Sequence, residues 1–152
     1  MDAVFKKMNF KDQPEILVLN HPASFQPHLD AMRASTSVRI DIAGTGKIYF
    51  ALAFVTRQDE VDALTAQIAA KMVGDALLWF AYPKGTSKKY QCEFNRDTGW
   101  AVPGKLGFEP VRMVAIDEDW SALRFRRAEY IKTMTRDEAH ALSETGKAKV
   151  KK

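Results

Sequence analysis

The middle of the chain narrows the fold most. There KIYFALAFV (Lys47 to Val55), TRQDEVDALTAQIAAKMVG (Thr56 to Gly74) and ALLWFA (Ala76 to Ala81) follow one another with almost no linker. The first and third stretches are apolar at successive positions, so a strand built from either has two apolar faces and needs cover on both sides, as in the centre of a sheet. Between them, Val61, Leu64, Ile68 and Met72 recur at helical spacing. Thr56 with Asp59 three residues on, and Glu60 and Asp62 nearby, suit a helix start; Lys71 and Gly74 suit its end. Strand, helix and strand in this succession predict a βαβ unit with parallel strands.

The flanking segments extend that unit. EILVLN (Glu15 to Asn20) reads as a buried strand running into the turn NHP, and Phe25, Leu29 and Met32 predict a helix starting near Pro22 or Ser24, with Pro27 either in its first turn or breaking its start. SVRIDIA (Ser37 to Ala43) alternates apolar and polar residues, the period of an edge strand with one wet face. AGTGK (Ala43 to Lys47) resembles the end of a phosphate-binding P-loop, but Asp41 and Ile48 occupy the positions that need glycine and Ser or Thr. It also leads into a strand, so it is read as a glycine turn. In FNRDTGWAVPGKLG, Asn95 is expected to cap a short helix ended by Pro103 or Gly107. VRMVAID (Val111 to Asp117) reads as the next buried strand. Only DED separates it from WSALRFRR, a spacing that predicts an antiparallel hairpin. AEYIKTMTRDEAHALSETG is expected to be helical or partly frayed. The expected fold is therefore a single three-layer, Rossmann-like α/β domain over residues 1–146, with a mostly parallel sheet, a terminal antiparallel strand pair and a basic flexible tail at 147–152.

That tail decides what the charge means. The chain has 23 basic and 19 acidic residues and a pI near 9.2. Without Lys147, Lys149, Lys151 and Lys152 the basic residues number 19, so the body is balanced. A nucleic-acid partner is not expected from such a distribution. The single cysteine, Cys92, can form no internal disulfide and suits a reducing compartment. MDAVFKKMNF lacks the apolar core of a secretory signal, and IYFALAFV falls far short of the ~20 residues that cross a bilayer. A cytoplasmic location with no membrane partner is expected, and oligomeric state is left open.

Two resemblances follow. From about Lys47 to Arg127, the order of IYFALAFV, a helix, LLWFAYPKG, a short helix closing on LGFEPV and a terminal antiparallel pair resembles the second half of a class I methyltransferase. Those enzymes hold S-adenosylmethionine with a glycine-rich loop after the first strand. Here that position carries LNHPASF, so the resemblance implies a degenerate methyltransferase-like protein and no cofactor is expected. From Ile16 to Tyr130 the chain is also similar to a family of small bacterial proteins known as a domain of unknown function, through VLNHP, LLWFAYPKGTS and VAIDEDWSALRFR. This second likeness implies a fold but no activity.

In an open α/β sheet, ligands settle beyond the carboxyl ends of the parallel strands. That rule points to Asn20 and His21, Thr56 and Arg57, Lys84 to Lys88 and Asp117 to Trp120, and from these Asn20, His21, Lys84, Ser87, Asp117 and Trp120 are taken as candidate ligand-binding residues. In YPKGTSKK, Gly85 allows close backbone approach while Lys84, Thr86 and Ser87 offer donors to a small anion. His21 has the side chain of a general base, but also reads as an exposed or helix-capping loop residue. No complete catalytic constellation is present, and the consecutive Asp117, Glu118 and Asp119 read as a turn and not as a metal site. Trp120, Arg124 and Arg126 share one strand face. They are read chiefly as an edge cover paired with the acidic turn, and alternatively as a surface that, with the lysine tail, contacts nucleic acid or a protein partner. The preferred expectation is a small-molecule or anion-binding domain.

Overall fold

Strands β1 (Glu15–Leu19), β3 (Ile48–Phe54) and β4 (Met72–Pro83) send alternate side chains into two separate cores. On one face Ile16, Val18, Phe50, Leu52, Phe54, Leu77 and Trp79 are covered by helices α1 (Ala3–Lys7) and α2 (Gln26–Met32) through Val4, Phe5, Leu29 and Met32. On the other, Leu17, Ala51, Ala53, Leu78 and Phe80 are covered by Val61 and Ile68 of helix α3 (Gln58–Ala69) and by Trp100, which precedes helix α4 (Ala101–Lys105). Two-sided cover is what the apolar runs required. The only polar group on the ring of Trp79, itself fully buried, donates to the Met8 carbonyl at 3.0 Å, tying α1 to the sheet.

The computed structural model describes residues 2–95 and 97–131. The C-terminal helix and basic tail expected from sequence lie outside these residues, apart from a 3-10 turn at Ala128–Tyr130. With β2 (Ser37–Arg39), β5 (Phe108–Ala115) and β6 (Trp120–Arg127), the sheet has six strands in the order β2-β1-β3-β4-β6-β5. The first four are mutually parallel, and β6 is antiparallel to both β4 and β5. This is the expected α/β, Rossmann-like sheet with one antiparallel pair.

Several local expectations are corrected. The strand at SVRIDIA stops at Arg39, because Asp41 folds the chain into a turn: its Oδ1 accepts from the Gly44 N–H at 2.7 Å. Helix α3 begins one residue later than expected, with Arg57 at the N-cap, and ends at Ala69. Met72 and Gly74 therefore belong to β4. The extra residues there form an irregularity between the pairs Ile48↔Met72 and Phe50↔Leu77, and Gly74 supplies a φ of +56° within it. Lys71 is no helix stop; its Nζ donates to the carbonyls of Ile42 and Thr45, at 3.1 and 2.6 Å, and so braces the AGTGK turn. Asn95 does not cap α4. It pairs with Thr98 in an isolated bridge, Trp100 holds the N-cap position, and Pro103 lies inside the helix. Finally, β5 is not buried: the chain places it outside β6 at the sheet edge, with Arg112 and Met113 exposed.

Candidate functional site

Because β5 is antiparallel to β6, and β6 to β4, strand β5 points the same way as β1, β3 and β4. The carboxyl ends of all four thus meet along one edge. The chain order reverses between β1 and β3, since β2 lies to one side of β1 and β3 to the other. In such sheets the strand ends beside a reversal of this kind are the usual ligand position.

At the end of β1, Asn20 is exposed and adopts φ +59°, a left-handed conformation that Asn tolerates better than most residues. His21 is half-buried, and its Nε2 lies 2.8 Å from Gln26 Oε1. The Gln26 amide N–H donates to Asp30 at 2.9 Å, so Oε1 accepts, Nε2 carries the proton and Nδ1 is the acceptor nitrogen. This ring is held against the Gln26 side chain at the start of α2 and caps no helix backbone, since neither helix start there has a side-chain cap.

After β3, Glu60 organises the turn. Its Oε1 accepts from the Thr56 and Arg57 backbone N–H groups at 2.9 and 3.1 Å. Arg57 pairs with Asp59, and that hydrogen bond and charge hold the Arg57 guanidinium above and the Asp59 carboxyl below their ordinary ranges.

After β4, the loop is closed onto the β5–β6 turn. The Lys84 N–H donates to the Asp119 carbonyl at 2.8 Å, and the Ser87 hydroxyl donates to Asp119 Oδ1 at 2.9 Å. Ser87 Oγ also lies within reach of the Lys89 and Tyr90 N–H groups, at 3.3 and 3.2 Å. In the facing turn, Asp117 Oδ1 accepts from the Asp119 and Trp120 N–H groups at 2.8 and 2.9 Å. The structure therefore brings Lys84, Ser87, Asp117 and Trp120 together, and Asp119 is the residue that joins them. Asp119, read from sequence only as part of the acidic turn, is not among the six candidates, because nothing local distinguishes it from its acidic neighbours. The Ser87 hydroxyl is spent on a carboxylate, so any anion at this loop would have to displace Asp119 or rely on Lys84.

Trp120 is only 4% exposed, so it offers no surface for stacking a base. Its ring meets Phe54 edge-on at 5.0 Å between centroids and lies 4.8 Å from Tyr90. Phe54 in turn meets Phe25, at 5.0 Å. This row of rings runs under the edge, from the loop after β1 to the loop after β4. It connects the two halves of the candidate site, which no hydrogen bond joins among the described residues. Buried within the row, the Trp120 indole N–H has no hydrogen-bond partner there. A buried donor left unpaired carries a desolvation penalty of about 1–3 kcal/mol, so such groups are uncommon in folded proteins. Phe25 carried a helical-period signal in the sequence but none for this edge, and Tyr90 had none beyond being aromatic.

The pairing expected between the arginine face and the acidic turn is absent: Arg126 grips Asp75 instead, with Nη2 2.6 Å from Oδ2. Among the described residues no group of three or more His, Cys, Asp and Glu is placed to hold a metal ion, and no helix is long and apolar enough to cross a membrane.

No family model matches the chain, and no curated protein matches its sequence, so the likeness to a bacterial domain family rests only on the residue strings that suggested it. Solved structures do match. The pyocyanin biosynthetic protein PhzM is similar over 83% of this chain and 53% of its own, at 11% identity and a TM-score of 0.53. Magnesium protoporphyrin IX methyltransferase (ChlM) from Synechocystis PCC 6803, solved with bound SAM, is similar over 82% of this chain and 74% of its own, at 12% identity and a TM-score of 0.50. At such identities the likeness is one of fold, and the fold is the Rossmann-like one that methyltransferases share.

Proposed function

We propose that this chain is a degenerate methyltransferase-like domain that binds a small molecule at the carboxyl edge of its sheet. The observation that carries the reading is the buried, unpartnered Trp120 N–H at that edge, beneath a loop held shut by Ser87 and Asp119. A ligand with a hydrogen-bond acceptor and a flat apolar part suits it: the acceptor would take the indole proton when the loop opens, the half-buried Tyr90 ring would cover the flat part, and Lys84 would contribute charge.

The residues after β1 do not fit S-adenosylmethionine in the way methyltransferases hold it. A glycine-rich loop lets backbone approach the cofactor. Here Asn20, His21 and Pro22 project side chains, and His21 is folded onto Gln26. No methyl-transfer step is derived for this chain, and the reading is one of binding.

The test is a thermal-shift screen with nucleosides, sugar phosphates, small carboxylates and S-adenosylmethionine, followed by calorimetry on any hit. A ligand at a hundredfold over its Kd adds about 2.7 kcal/mol, or several degrees for a chain of this size. The expected hit is lost in Lys84→Ala and weakened in Trp120→Phe. Silence across the panel would overturn small-molecule binding, and a hit by S-adenosylmethionine alone would overturn the argument from the β1 loop.

A further inference from the structure

The opposite end of the sheet carries a second charged cluster. Arg112 of β5 and Arg124 of β6 are direct partners across the antiparallel ladder, so their side chains leave the same face. Arg126 lies two residues along the same strand, on the same face. Asp75 is clasped by Arg126 through contacts of 3.0, 3.1 and 2.6 Å. That fork-to-carboxylate geometry uses both Asp75 oxygens. The charges bearing on Arg124 are then Arg126 and Arg112, both repelling, and Asp75, already engaged. Glu109, fully buried, faces Arg126 before the bulge in β5.

The independent sign comes from Arg124 itself. Its Nε is buried and has no hydrogen-bond partner, and burial first, then its cationic neighbours, hold the guanidinium below its ordinary range. Two adjacent guanidiniums, one half-buried and neither provided with an anion among the described hydrogen bonds, are an unfavourable arrangement for folding alone.

We propose that Arg112 and Arg124 form a binding site for a phosphoryl group, with Arg126 fixed beside them by Asp75. A phosphoryl dianion can meet both guanidiniums at once with separate oxygens, whereas a carboxylate brings a single charge, and planar guanidinium forks suit phosphoryl oxygens. The site lies away from the carboxyl edge and does not depend on the function proposed there.

The experiment is a titration of the full chain with inorganic phosphate, following the unfolding midpoint against chloride at matched ionic strength, with acetate as a third arm. The expected result is a saturable rise with phosphate beyond that with chloride. Arg112→Gln and Arg124→Met should each weaken the apparent Kd by about tenfold or more, as loss of a charged hydrogen bond does. Arg57→Gln, a fully exposed arginine at the other end, should leave it unchanged. Should Arg124→Met fail to fold, the exposed Arg112→Gln carries the test. No excess over chloride, an excess that survives Arg112→Gln, or acetate acting as strongly as phosphate would each overturn the proposal.

Discussion

Glu60→Ala tests how the turn after β3 is built. Glu60 Oε1 accepts from the backbone N–H groups of Thr56 and Arg57, at 2.9 and 3.1 Å, and lies 3.4 Å from the Thr56 hydroxyl. Truncation leaves the half-buried Thr56 N–H without its partner, at a cost of about 1–1.5 kcal/mol, while the exposed Arg57 N–H is recovered by water. Loss of a negative charge from the first turn of α3 adds about 0.3–1 kcal/mol. The total, about 1.3–2.5 kcal/mol, lowers the unfolding midpoint by roughly 3–10 °C in a chain of this length. Glu60→Gln keeps an acceptor and loses only the charge, so it falls between Glu60→Ala and the native protein. The decisive comparison is Asp59→Ala. Spacing from Thr56 makes Asp59 the capping carboxylate, yet in the structure it is exposed and its main partner is the Arg57 side chain, whereas Glu60 receives the Thr56 and Arg57 N–H groups. Differential scanning calorimetry of the three variants at fixed salt should show Asp59→Ala losing only the about 0.3–1 kcal/mol of its charge in the same first turn, clearly less than Glu60→Ala. If Asp59→Ala were as damaging as Glu60→Ala, or Glu60→Ala harmless, the placement of the helix start at Arg57 would be wrong.

Gly99 has φ +93°, and a Cβ there would stand 2.6 Å from Phe94 Cβ and 2.8 Å from Gln58 Oε1. Gly99→Ala should therefore destabilise by about 3 kcal/mol in urea unfolding, from overpacking and backbone strain together, while Gly85→Ala, which meets open space, should be neutral. For Cys92, burial above all, with help from the charges of Glu93 and Glu60, pushes the thiol up. Alkylation by iodoacetamide near pH 8 should be slower than that of a free cysteine. Because the folded-state pKa is raised, the unfolded thiol ionises first, so this group's contribution to stability falls as pH rises above about 8.5. Cys92→Ser should remove that part of the decline, and an unchanged alkaline stability profile would refute it.

The apolar runs at Ile48–Phe54 and Leu77–Ala81 and the helical spacing between them sufficed for the parallel βαβ core and its three layers. The three-residue DED gap sufficed for the hairpin. Such features are legible because two-sided burial and element period leave a pattern in neighbouring residues. Partners distant in the chain leave none. Spacing could not tell that Glu60 and not Asp59 closes the turn after β3, since both suit a first helical turn. It could not select Asp119 from three consecutive acids as the acceptor of Ser87, 32 residues away. Nor could it tell that Arg126 meets Asp75 across 51 residues, because strand order alone sets β4 beside β6. The same order makes β5 an edge strand and turns Trp120 inward against Phe54. Sequence alone thus determined which segments are buried and in what local form, through the period of their apolar residues. Only the tertiary structure decided which polar groups face one another there, and which buried ones among the described residues, the Trp120 N–H, Arg124 Nε and Asn9 Oδ1, were left without partners.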